Sequence, residues 1–83
     1  MRKYLVDIYI PAAGQHLDAF IPSNKTIGEV TGLLVSAAEK LVVGSYMGTS
    51  DSMLIDMESG SPYNPTITVD EAGIRNASRL ILI

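Results

Sequence analysis

Residues 26–41 read TIGEVTGLLVSAAEKL, and this stretch decides the fold. Apolar side chains recur at Ile27, Val30, Leu33/Leu34, Ala37/Ala38 and Leu41, in steps of three and four that keep one side of an α-helix apolar. Thr26 and Glu29 stand at the spacing of a capping box. The threonine oxygen can accept the N–H of Glu29 while the glutamate reaches back to the N–H of Thr26. Val42-Val43 extend the run and Gly44 is its natural stop. The spacing therefore predicts a helix over 26–42, its 26–41 stretch about 24 Å long, and no other stretch supports one of that length. Gly28 and Gly32 lie inside it and read as tolerated helix glycines rather than close-packing sites, each costing about 0.5–1 kcal/mol against Ala.

Outward from the helix, the chain alternates. Residues 4–10 place Tyr4, Val6, Ile8 and Ile10 on one face of a strand around Asp7. Residues 11–15 turn the chain, with Gly14 suited to positive φ. Residues 16–21 alternate again, Leu17, Ala19 and Ile21 against His16, Asp18 and Phe20. Two such runs across a short turn predict a β-hairpin. Beyond the helix, 44–52 is a loop by composition and 53–57 a short strand. Two prolines confine 63–65 to a sheet edge. Thr68 and Glu71 repeat the cap spacing and predict one helical turn ended by Gly73, and 75–78 is a tight turn. The last strand, 79–83, points Leu80 and Leu82 one way and Ile81 and Ile83 the other.

Composition narrows the function. Eighty-three residues make one small domain, and 47% hydrophobic content suits a compact core. There is no cysteine, so no disulfide or thiolate metal site supports the fold. A net charge of −3 without basic runs argues against a nucleic-acid partner. No apolar run reaches the roughly 18 residues of a membrane span, and no cleavage site follows the N-terminal stretch. Cytoplasmic residence without direct membrane insertion is the expectation.

Hairpin, capped helix, short strand, one-turn helix and final strand, in that order, resemble the ubiquitin-like β-grasp, an α+β fold with a mixed sheet of four to five strands packed on one long helix. Two stretches carry the likeness. Residues 21–30, IPSNKTIGEV, cap a helix with Thr26 and begin its buried face with Ile27 and Val30. Residues 68–80, TVDEAGIRNASRL, look like the family's T-L-x-x-x-G-I-x-x-x-x-x-L tail. Within that superfamily the chain is most similar to the YukD-like proteins of type VII (ESX-type) secretion in Gram-positive bacteria. The same domain also forms the cytosolic N-terminal part of a membrane component of those systems. The resemblance implies a non-enzymatic interaction module, accessory or regulatory to secretion. A carrier or modifier of this fold needs a flexible Gly-Gly tail, whereas Leu80-Ile81-Leu82-Ile83 end inside the predicted strand. Conjugation and sulfur transfer are therefore not expected, unless the Gly-Gly tail is missing here.

Catalytic chemistry has little to stand on. His16, the one histidine, shares a strand face with Asp18. A base oriented by a carboxylate looks like this, but no third partner is evident and a solvated surface pair is the reading. One histidine and the scattered Asp51, Asp56 and Glu58 do not make a metal site. Gly44 and Gly48 follow a helix rather than precede one, the wrong order for a phosphate cradle. No cofactor is expected. Binding is better supported. If the helix covers Val6, Ile8, Leu80 and Leu82, the opposite sheet face carries Leu5, Tyr9, Phe20, Ile81 and Ile83, with Asp7, Asp18 and His16 between them. An outer sheet face is ordinarily polar, so these five are the candidate protein-binding residues. A secretion component or a second copy of the chain is the expected cover. Loop 44–52, with Tyr46 and Met47, is a second candidate.

Overall fold

The computed structural model describes residues 2–41 and 51–83. The chain runs β1 (Lys3–Ile10), β2 (Gln15–Pro22), α1 (Ile27–Leu41), β3 (Leu54–Asp56) and β4 (Arg79–Leu82). The strands form one mixed sheet in the order β2-β1-β4-β3. β1 pairs antiparallel with β2 and parallel with β4, so the first and last strands are central neighbours. This is the α+β architecture expected from the sequence, and α1 begins where Thr26 caps it. The Thr26 hydroxyl accepts the Glu29 N–H at 3.2 Å, and the Glu29 carboxylate accepts the Thr26 N–H at 3.1 Å. Val42, Val43 and the Gly44 stop lie outside the described residues.

The core forms between α1 and the helix-facing side of the sheet. Tyr4, Val6, Ile8 and Ile10 of β1, Ile21 of β2, Leu54 of β3 and Leu80 and Leu82 of β4 are buried, together with Ile27, Val30, Leu34 and Ala38 of α1. Of the Leu33/Leu34 pair only Leu34 faces inward, and Leu33 is exposed. Val69 and Ile74 close the core from the 68–78 segment.

That segment carries a second capping box of its own. Thr68 and Glu71 exchange the same pair of bonds, at 3.1 and 2.9 Å. One turn closes from the Ala72 N–H to the Thr68 carbonyl, and Gly73 follows at φ 83°. The two caps face each other. Thr26 and Thr68 form a bridge, the Ile27 N–H donates to the Ile67 carbonyl and the Val69 N–H to that of Lys25. Gly28 fits the same junction: its N–H donates to the Pro65 carbonyl, and a Cβ there would lie 3.2 Å from that oxygen. Gly28 is thus a close-packing glycine, contrary to the expectation from spacing. Gly32 faces open space, as a tolerated helix glycine does.

The turn before β4 is strained. Ala77 has φ 71°, a left-handed conformation that an L side chain occupies at a cost of about 1–2 kcal/mol. It is held there because the Ala77 N–H donates to the Leu5 carbonyl while the Asn76 side chain accepts the Leu5 N–H. Ala77→Gly is expected to raise stability by about 0.5–1 kcal/mol, read as a higher urea midpoint at unchanged slope.

Candidate functional site

The face of the sheet away from α1 is built from alternate residues of four strands. The pairing places Leu5 opposite Phe20, Asp7 opposite Asp18 and Arg79, Tyr9 opposite His16 and Ile81, and Ile81 opposite Ile55. All five sequence-predicted residues, Leu5, Tyr9, Phe20, Ile81 and Ile83, have the outward parity. They do not form one uninterrupted patch. A polar row, Asp18–Asp7–Arg79, crosses the sheet between them. Leu5 and Phe20 make one apolar corner. Tyr9, Ile81 and Ile83 make the other, joined there by Ile55 and by Met53, whose backbone exchanges two hydrogen bonds with Ile83. Phe20 is 67% exposed, Ile83 50%, Met53 43% and Leu5 41%, so both corners open to water.

Met53 and Ile55 were missed by sequence reasoning because their strand carries no polar residue on its outer side. Its polar residue, Asp56, has the inward parity. It sits at the strand end, where its carboxylate accepts the Glu58 N–H and the Ser59 hydroxyl and closes the following turn. A charge used locally in this way conceals the face on which its neighbours lie.

His16 occupies the boundary between the polar row and the second corner. Its Nδ1 lies 3.0 Å from Asp7 Oδ1, and its ring sits on Tyr9 with centroids 4.7 Å apart. The carboxylate partner of His16 is therefore Asp7 across the hairpin and not Asp18 on its own strand. Diagonal neighbours across an antiparallel pair, about 7–8 Å apart, are within reach of an aromatic or long side chain. The arrangement orients the imidazole, but it is exposed and holds no third group in place. Among the described residues no three His, Asp or Glu side chains gather as metal ligands would.

A second polar cluster ties β1 to the 68–75 segment. The Tyr4 hydroxyl donates to Asp70 Oδ1 at 2.7 Å, Arg75 Nη1 lies 3.0 Å from the same oxygen, and the guanidinium stands 5.3 Å from the centroid of the Tyr4 ring. The Tyr4 hydrogen bond, helped by Arg75 and Arg2, holds the Asp70 carboxyl below its ordinary value. The Thr26 N–H and hydroxyl do the same for Glu29, and those of Thr68 for Glu71. A carboxylate whose value is lowered by folding contributes stability above its unfolded value, about 4, and that contribution is lost as pH falls through the folded value. Thermal stability is thus expected to drop on acidification below about pH 4. The double variant Glu29→Gln, Glu71→Gln, which keeps an acceptor at both caps but cannot titrate there, should show a shallower drop in melting temperature against pH.

A cleft of about 710 Å³ runs between α1 and the 51–65 segment, lined by Ile27, Gly28, Val35, Met53 and Tyr63 among others. Burial, with Asp56 and Glu58 nearby, pushes the Tyr63 phenol up. Of loop 44–52, the second binding candidate, Tyr46 and Met47 lie outside the described residues.

No family model and no curated protein matches the chain. Solved structures do. It superposes on a ubiquitin of Caldiarchaeum subterraneum with TM-score 0.76 at 17% identity, over 99% of this chain and 92% of that one. The EccD5 ubiquitin-like domain of Mycobacterium xenopi gives TM-score 0.75 at 18% identity, over 100% and 94%. A chain of the MycP5-free ESX-5 inner membrane complex gives 0.74 at 15% identity, covering all of this chain and 21% of that one. With the mixed sheet, its central parallel pair and the long helix α1, these likenesses show that the chain has the ubiquitin-like β-grasp fold. Among the described residues no helix is long and apolar enough to cross a membrane.

Proposed function

We propose that this chain is a non-enzymatic ubiquitin-like interaction module that serves a type VII secretion system of Gram-positive bacteria from the cytoplasmic side. The observation that carries the reading is the outer sheet face: two apolar corners, Leu5–Phe20 and Tyr9–Ile81–Ile55–Ile83–Met53, that no described element covers. Apolar groups set around a short polar row suit a protein partner, because the row fixes orientation while the corners supply buried area. The likeness to the EccD5 domain and to a chain of an ESX-5 inner membrane complex supports a secretion component as that partner. The non-enzymatic part of the reading is supported by His16, which is exposed and has Asp7 as its carboxylate neighbour, with no nucleophile or second base beside them among the described residues.

A second reading has its own support. The chain matches all of itself to about a fifth of an ESX-5 complex chain, as it would if it were the cytosolic domain of a larger membrane component.

The experiment is co-purification of the tagged chain with secretion-complex proteins encoded in the same genome, beside an Ile81→Glu variant. Capture by the unchanged chain and its loss in the variant are expected under both readings. Capture of no secretion protein, or equal capture by the variant, would overturn the proposal.

A further inference from the structure

The two edges of the sheet are treated differently. The β3 edge is covered, because Ile55 bridges Pro62, the Tyr63 N–H donates to the Leu54 carbonyl and the Asp56 N–H to that of Ser61. The β2 edge is not covered by any described residue over 15–21. Which of its groups are free follows from the bonds of β1. The Asp7 N–H donates to the Ser78 carbonyl and the Leu5 carbonyl accepts the Ala77 N–H, so Leu5 and Asp7 turn their main chain toward β4. Successive residues of a strand alternate in this respect, so Val6, Ile8 and Ile10 serve β2, opposite Ala19, Leu17 and Gln15. The N–H and C=O groups of His16, Asp18 and Phe20 therefore point outward, without a backbone partner among the described residues. The edge is lightly guarded, with Asp18 as its one charged residue. There is no lysine and no bulge in β2, and its proline, Pro22, stands at the far end.

We propose that the β2 edge pairs antiparallel with the β2 edge of a second copy of this chain, with the two-fold axis at Leu17, giving a continuous eight-stranded sheet. The register follows from the side chains. An axis at Leu17 places His16 opposite Asp18 of the second copy, and Asp18 opposite its His16, on the outer face. The imidazole nitrogen not used on Asp7 is free for that carboxylate. The same register puts Leu17 against Leu17 on the helix side, where Leu17 and Ala19 are only half-buried in the single chain. Both His16–Asp18 pairs are then of the bonded type, each exchanging two main-chain hydrogen bonds, and the Leu17 pair is of the close, non-bonded type. Neighbouring registers lack this complementarity. An axis at Asp18 opposes two carboxylates, one at His16 opposes two imidazoles, and one at Ala19 sets Asp18 against Phe20. The hydrogen-bonding match of His16 with Asp18 thus favours the chain's own edge as the occupant. This association uses the strand edge and not the outer face assigned to the secretion partner.

The chain has no cysteine, so single thiols can report the register. Leu17→Cys lies on the axis, at the roughly 4.5 Å Cα separation of a non-bonded pair, and should form a covalent dimer under mild oxidation. Ala19→Cys lies opposite Gln15 of the second copy and should stay monomeric on a non-reducing gel. In sedimentation over a concentration series, the unchanged chain should reach twice the mass of Asp18→Pro. That variant loses an N–H pointing away from β1, so the hairpin ladder and the circular dichroism spectrum should persist. Ile81→Glu, on the outer face, should keep the dimer mass, which separates failure of this proposal from failure of the secretion reading. The pairing is overturned if the unchanged chain remains monomeric throughout, if folded Asp18→Pro dimerises equally, or if Ala19→Cys crosslinks as readily as Leu17→Cys. A second protein's strand on this edge, with no self-association, is among the outcomes that overturn it.

Discussion

Leu80→Ala is expected to lower the unfolding free energy by about 2–5 kcal/mol, the largest stability change of any single substitution considered. Leu80 is fully buried in β4, opposite Ile8 on one side and Asp56 on the other, under the apolar face of α1. Truncation removes its transfer free energy and leaves a cavity. The backbone around it is fixed by two ladders and cannot collapse to fill the space. Native proteins have about 5–15 kcal/mol in all, so a loss of this size is a large share of the total. A urea denaturation series should show the midpoint displaced at constant slope. An unmoved midpoint would mean that the inward face of β4 carries less of the core than its burial indicates.

Ile81→Glu acts on the adjacent residue with the opposite outcome. Ile81 points away from the helix and is half-buried between Tyr9 and Ile55. In the free protein a carboxylate there stays in water, and a loss of about 1 kcal/mol or less is expected. Within a complex it would have to be desolvated without a partner at the centre of the contact. The cost is then of the order of 2 kcal/mol or more, about 30-fold in affinity. Circular dichroism should report an unchanged fold while co-purification of the secretion component is lost. An unfolded variant would show that Ile81 belongs to the core.

Local features were legible in the sequence because their partners lie within a few residues. Both capping boxes, the Gly14 and Gly73 turns and the alternation of β1, β2 and β4 involve interactions three or fewer residues apart, and all stand where spacing puts them. What escaped depends on residues distant in the chain. Gly28 must be small because Pro65 packs on it. His16 takes Asp7 because the hairpin register sets them diagonally. The break in the outer apolar face arises only when Asp18, Asp7 and Arg79 are aligned across three strands. Face membership is a period-two property readable in one strand, whereas contiguity across strands is a property of register, which one strand does not contain. For β3 even the face was hidden, since Asp56 is the one polar residue of Leu54–Asp56 and lies on the inward side.

The central parallel pair has a consequence for how the protein is made. Asp7 stands beside Arg79 in the finished sheet, about seventy residues later in synthesis, which takes roughly 4–14 s at about 5–20 residues per second. Throughout that interval β1 has its hairpin neighbour on one side and nothing on the other, with Val6, Ile8 and Ile10 waiting for Leu80 and Leu82. An apolar strand with one open edge is prone to association until its partner arrives, and non-local pairing of this kind is slow even after both strands have emerged. A chain cut short before Arg79 would lack the central partner of β1, and it is expected to stay unfolded on a circular dichroism spectrum. Cellular yield should accordingly respond to translation rate and chaperone supply more than the stability of the folded protein would indicate.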